Sequence, residues 1–138
     1  MSTLNVATIK SLSSSAPVFQ NTSGVEKGQL CKAWIKMNGT GTVSIDGSFN
    51  VSSITDNGVG AYIVHFSNAL SNANYSVGGF SHRNGAPNAE VLCHIDSHGP
   101  SAVSTTQYPF ALSSTTNGLD VGLTNVDVSF ISLQFFGD

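Results

Sequence analysis

Ionisable side chains are scarce in this chain of 138 residues: Asp, Glu, Lys and Arg make up 9% of it, against about a quarter in an average soluble domain. The basic residues are Lys10, Lys27, Lys32, Lys36 and Arg83, and none follows Arg83. Nucleic acid and anionic lipid surfaces are held by clustered cations, so no nucleic-acid partner is expected. No apolar run approaches the roughly 18 residues of a membrane-spanning helix, so no membrane insertion is expected. Residues 1–16 lack a basic stretch leading into a continuous apolar segment, which argues against a signal peptide. Amphipathic three-to-four spacing is also missing, which removes the helical fold classes. Cysteine is limited to Cys31 and Cys93. Each lies in an apolar, strand-like segment of the kind that buries free thiols, so no disulfide is expected. There is no Gly-x-Ser-x-Gly elbow and no glycine-rich phosphate loop between a strand and a helix. Asp46, Asp56, Asp120 and Asp127 stand beside turns or on polar strand faces, where aspartate ordinarily caps loops. The expectation is a chain that is not an enzyme and has no cofactor or resident metal.

What the chain does have is period-two alternation punctuated by turn residues. Cys31, Ala33, Ile35 and Met37 fall on one side of a strand, with Lys32, Trp34 and Lys36 on the other. Asn38-Gly39-Thr40-Gly41 interrupts, and Val43, Ile45, Phe49 and Val51 resume the apolar series. Asp56-Asn57-Gly58-Val59-Gly60 is the strongest turn signal, because Asn-Gly between apolar runs favours a hairpin. Tyr62, Val64 and Phe66 then share a face. Further strands are predicted over residues 75–80, 89–95 and, weakly, 102–106. Tyr108-Pro109 suits a sheet edge, since proline donates nothing to a ladder. Residues 113–118 read as a long polar turn. At the end Val126, Val128 and Phe130 share one parity while Ile131, Leu133 and Phe135 take the other. That switch predicts a bulge or burial on both faces in a central strand.

These elements predict an all-β fold, an antiparallel β-sandwich of jelly-roll-like form with roughly eight strands. Residues 29–138 would form it. Residues 1–28 read as an extended arm for attachment or oligomerisation, with a serine-rich hinge and an Asn21-Thr22-Ser23-Gly24 turn. A low-charge, amide- and hydroxyl-rich surface with a net charge of −3 offers little repulsion between copies, which points to a homo-oligomer.

The segment CKAWIKMNGTGTVSIDGSFNVSSITDNGVGAYIVHF, from Cys31 to Phe66, resembles a module of tailed-bacteriophage virion proteins, particularly tail-fibre-like proteins of cyanophages and marine phages. The likeness rests on Lys32-Ala33-Trp34, the run from Asn38 to Val43, the run from Ser48 to Gly58, then Gly60, Tyr62, Val64 and Phe66, with Ala73-Asn74-Tyr75 following. Met37 stands where the family usually carries an aromatic residue, and Ala61 where a polar one is common. The resemblance implies a virion structural protein without enzymatic activity, assembled as a trimer into a short fibre, spike or capsid decoration. Such a subunit would be made in the host cytoplasm, reach the outside in a particle released by lysis, and contact other virion proteins through residues 1–28.

Four sets of residues are candidates for a site. Trp34, Tyr62 and Phe66 are expected at an oligomer interface, where aromatic residues are enriched. His82, Arg83, Asn84, Asn88 and Asn117, on polar loops, are expected to face a host-surface glycan if the chain is a lectin-like module instead. Trp34 could serve that role with Tyr62 and Tyr108 beside it. His94, Asp96 and His98 project to one side of an extended strand and form the one pattern with metal-ligand character, set against a plain reading as strand-end residues near Gly99-Pro100.

Overall fold

The computed structural model describes residues 6, 8–9, 19–28, 30–82, 101–114 and 124–137. The chain divides into two compact units, Met1–Leu30 and Cys31–Asp138. In the first, β1 (Phe19–Gln20) and β2 (Glu26–Gly28) pair as an antiparallel hairpin. Asn21 closes the connecting turn: its N–H donates to the Val25 carbonyl at 2.9 Å, and its Oδ1 accepts from the amides of Ser23 and Val25 at 3.0 and 2.9 Å. This is the turn expected from Asn21-Thr22-Ser23-Gly24.

The second unit is a β-sandwich. Its strands are β3 (Cys31–Asn38), β4 (Ser44–Phe49), β5 (Val51–Asp56), β6 (Ala61–Phe66), β7 (Ser76–His82), β8 (Gln107–Ala111), β9 (Ser113–Ser114), β10 (Thr124–Asn125) and β11 (Phe130–Phe136). One antiparallel sheet has the order β4-β3-β11-β7 and the other β5-β6-β8, with β9 and β10 forming a separate ribbon. The core lies between the two sheets. Ala33, Ile35 and Met37 enter it from β3, Tyr62, Val64 and Phe66 from β6, Tyr108 and Phe110 from β8, and Ile131, Leu133 and Phe135 from β11. Phe135 lies at its aromatic centre, edge-on to Phe66 at 5.0 Å, Tyr108 at 5.4 Å and Tyr75 at 5.9 Å between ring centroids. Edge-to-face contacts of this kind add to area burial because a positive ring edge meets a negative ring face.

β3 follows its alternation, with Trp34 and Lys36 exposed and Ala33, Ile35 and Met37 buried. β11 lies between β3 and β7, the central position expected for it. The parity switch has a different origin from either of those anticipated. Val126 and Val128 precede the strand in a connecting segment that packs on the core, and only Ile131, Leu133 and Phe135 are buried by β11 itself. The series from Val43 to Val51 is likewise two strands in two sheets. Asn50 makes the corner with φ 55°, in the left-handed region that asparagine tolerates better than most residues. Its Nδ2 donates to the carbonyls of Lys32 and Asn68, and its Oδ1 accepts from the Asn68 amide at 2.8 Å, so the side chain holds the corner that the backbone turns. Residues 102–106 form a loop rather than a strand, and Ser113 and Ser114 belong to β9 rather than to a turn. The strand expected over residues 89–95, and most of the turn at 113–118, lie outside the described residues.

The Asp56–Gly60 hairpin forms as expected, with Asn57 N–H on the Ala61 carbonyl and Ala61 N–H on that of Gly58, each at 2.9 Å. Its last glycine is the hub of a latch. Gly60 N–H donates to Asp127 Oδ1 at 2.7 Å, Leu112 N–H donates to the Gly60 carbonyl at 2.7 Å, and the Tyr62 hydroxyl donates to the same Asp127 oxygen at 2.7 Å. One carboxylate thus ties the β5–β6 hairpin to the segment leading into β11. Hydrogen bonds to a charged acceptor are the stronger kind.

Candidate functional site: the outer face of the four-stranded sheet

Residues paired across antiparallel strands point to the same side of the sheet. Because Ile131, Leu133 and Phe135 point inward, their neighbours on β11 point out, and the register carries this outward set across the sheet. One row is Phe49, Trp34, Gln134 and Gly78. The next is Gly47, Lys36, Ser132 and Phe80, and beyond it Phe130 pairs with His82. At the far end Phe136 pairs with Ser76. Large apolar side chains are exposed along these rows: Trp34 at 40%, Phe49 at 55%, Phe80 at 58% and Phe136 at 41%. A solvated antiparallel face is ordinarily polar, so four exposed aromatic residues on one sheet make this the candidate site.

Local packing fixes how the rings are presented. Gly47 has no side chain to lift the Trp34 indole, and a Cβ there would meet the ring at 3.4 Å. One face of Trp34 therefore rests over bare backbone. Phe80 stacks on Phe130 with centroids 5.2 Å apart and planes at 26°. The Lys36 ammonium lies 5.3 Å from the Phe130 ring centroid and 3.2 Å from Asp46 Oδ2. Both Lys36 and Asp46 are exposed, and a pair in that setting orients side chains more than it stabilises the fold. Gln134 Nε2 donates to Ser132 Oγ at 2.9 Å.

The expected interface residues do not stay together. Trp34 lies on this outer face, as anticipated from its place opposite the apolar side of β3. Tyr62 and Phe66 are buried in the core of their own chain, away from any surface. Both registers of β6 are apolar, and the structure turns Tyr62, Val64 and Phe66 inward. Tyr108 is buried as well, so neither it nor Tyr62 can join Trp34 in a sugar platform. His82 is exposed at the end of β7. Arg83, Asn84, Asn88 and Asn117, and the trio His94, Asp96 and His98, lie outside the described residues, as does Cys93. Cys31 is a half-buried free thiol. Among the described residues no three His, Cys, Asp or Glu side chains gather where a metal ion would be held. Sequence reading missed Phe80 and Phe136 as surface residues, and counted Phe49 with the apolar side of its strand.

Burial governs the titration of the core phenols. Burial, then the hydrogen bond to Asp127 and its charge, then the charge of Asp56, raise Tyr62 far above the usual phenol range. Burial, reinforced by Tyr108, pushes Tyr75 up to about 12. A group whose folded pKa is raised contributes stability that is complete below its unfolded pKa, about 10 for tyrosine, and that is lost as pH climbs toward the folded value. Stability is therefore expected to hold up to pH about 10 and to fall between there and about 12. Urea midpoints measured across that window should decline in the parent, and the decline should be shallower in Tyr75→Phe.

No protein-family model, curated protein or solved structure matches this chain.

Proposed function

We propose that the chain is a non-enzymatic structural subunit of a phage virion, a β-sandwich that self-associates into a short fibre, spike or capsid decoration. The observation that carries this reading is the outer sheet face, where Trp34, Phe49, Phe80 and Phe136 are exposed on one ladder. The Cys31–Phe66 resemblance supplies the setting, including the trimeric assembly that the family implies. Low charge supplies the second support, since few like charges need to be brought together when copies meet. Residues 1–28 attach the subunit to other virion proteins. Adhesion to a host surface would then come from many weak polar contacts summed by multivalency.

A lectin-like role is the second reading, favoured by one local arrangement: the Trp34 indole lies over Gly47 with Gln134 beside it in the same row. A flat ring beside an amide suits a sugar, whose C–H face stacks while its hydroxyls find hydrogen-bond partners. Peptide mass analysis of intact, purified particles tests the main reading. The chain is expected there in many copies per particle. Its absence from particles, together with glycan-array binding that Trp34→Ala abolishes, would instead establish the second.

A further inference from the structure

Open sheets end in rows of unpaired amide and carbonyl groups that template another strand, and proteins disarm such edges with bulges, charges, proline or covering loops. Among the described residues the two sheets of the sandwich have four edges, β4, β7, β5 and β8. β4 is broken by a register shift opposite Lys36 and Met37 and carries Asp46, paired with Lys36. β5 is broken by a shift between Val51 and Ser53 and ends on Asp56. β8 has Pro109 at its middle, and its Gln107 carbonyl is engaged by Ser104 N–H and the Tyr75 hydroxyl, each at 3.1 Å. Among the described residues β7 has none of these devices; residues 83–100, which continue the chain from it, lie outside them. Its sequence SVGGFSH contains no proline and no Asp, Glu, Lys or Arg, and it pairs with β11 in unbroken register from Ser76↔Phe136 to His82↔Phe130. Among the described residues no strand pairs with its other side.

The strand is also complementary to itself. Antiparallel pairing of two copies about Gly79 sets Phe80 opposite Gly78, Ser76 opposite His82 and Val77 opposite Ser81. Phe80 is mostly exposed and is steadied on one flank by its stack on Phe130. Gly78 offers an open floor, because a Cβ there would meet nothing nearer than Gln134 Oε1 at 4.0 Å. An aromatic ring laid over a cross-strand glycine covers backbone that would otherwise be bare, and is a favoured pairing. A twofold axis makes that contact twice and opposes no carboxylate or ammonium groups. A second copy gains the ladder and, with Phe80 and Gly78 already in register, both ring-on-glycine contacts.

We infer that a second copy of this chain docks on the β7 edge, joining two four-stranded sheets into one continuous sheet about a twofold axis through Gly79. The inference rests on the self-association proposed above and gives it a geometry: the building unit is a dimer, against the trimer that the family resemblance implies.

Light-scattering mass and amide hydrogen exchange on the full chain, with Phe80→Lys and Trp34→Ser variants, test this. Phe80 is exposed, so lysine there leaves the core untouched, and Trp34 is separated from β7 by β11. The parent and Trp34→Ser are expected at about twice the 14.3 kDa chain mass. Phe80→Lys is expected as a monomer with the parent circular dichroism, its exchange accelerated at least tenfold across residues 76–82 and unchanged in β3. An oligomer that survives Phe80→Lys but is lost in Trp34→Ser would overturn edge pairing while keeping self-association, through the sheet face. A trimer mass would overturn the twofold. A parent monomer would overturn both readings, and slow exchange of residues 76–82 in it would show the edge covered by the chain itself.

Discussion

Deleting β11 is expected to abolish folding, and the single change Phe135→Ala to remove about 3–5 kcal/mol of stability. β11 is the strand between β3 and β7, so its loss cuts β7 off from the rest of the described sheet and exposes one side of β3. It also removes Ile131, Leu133 and Phe135 from the core in one step. Phe135 meets three rings edge-on, and those rings belong to β6, to β8 and to Tyr75 ahead of β7. Removing it opens a cavity that neighbours on both sheets would have to collapse to fill. A small domain holds about 5–15 kcal/mol in total, so this one substitution takes a large share. Urea unfolding followed by circular dichroism checks both: a displaced midpoint for Phe135→Ala, and no cooperative transition for the deletion.

Gly60→Ala is expected to cost about 2–4 kcal/mol, of which about 1 is conformational and the rest steric. Gly60 has φ 65°, and a Cβ there would lie 2.5 Å from the Leu112 carbonyl oxygen and 2.7 Å from the Val126 amide nitrogen. Both are backbone atoms. Moving them breaks the bond that Val126 N–H donates to the Leu112 carbonyl at 3.0 Å and strains the neighbouring bonds of Leu112 to Gly60 and of Gly60 to Asp127. Gly41→Ala is the control, since Gly41 has the same φ of 65° and a methyl group there would meet nothing within 4 Å. That variant should lose only the conformational part, about 1 kcal/mol. Equal losses at the two positions in urea unfolding would refute the latch.

Much of the fold was legible because alternation has a single period in a strand. The inward set of β3 and the hairpin at Asp56–Gly60 follow directly from residue order. The Asn50 corner did not show itself, because Phe49 and Val51 continue an apolar series across it. The signal that would have found it is the asparagine itself, a residue that accepts positive φ, set between Phe49 and Val51. The outer face was legible at Trp34 and hidden elsewhere. Alternation divides a strand into two sides without saying which meets water, and in β6 both sides are apolar. Only packing decides that Tyr62 and Phe66 go inward and that Phe49 and Phe80 remain outside. The resemblance over Cys31–Phe66 covers β3 to β6 and says nothing of β7 and β11, which carry half of the exposed aromatic set.

Copies of this weakly charged sandwich are expected to cover one another. The most direct measurement is the molar mass of the purified full chain by light scattering at micromolar concentration. A stable multiple of 14.3 kDa that does not dissociate on dilution is the predicted result. A single chain mass at every concentration, with the aromatic face fully in water, would contradict it.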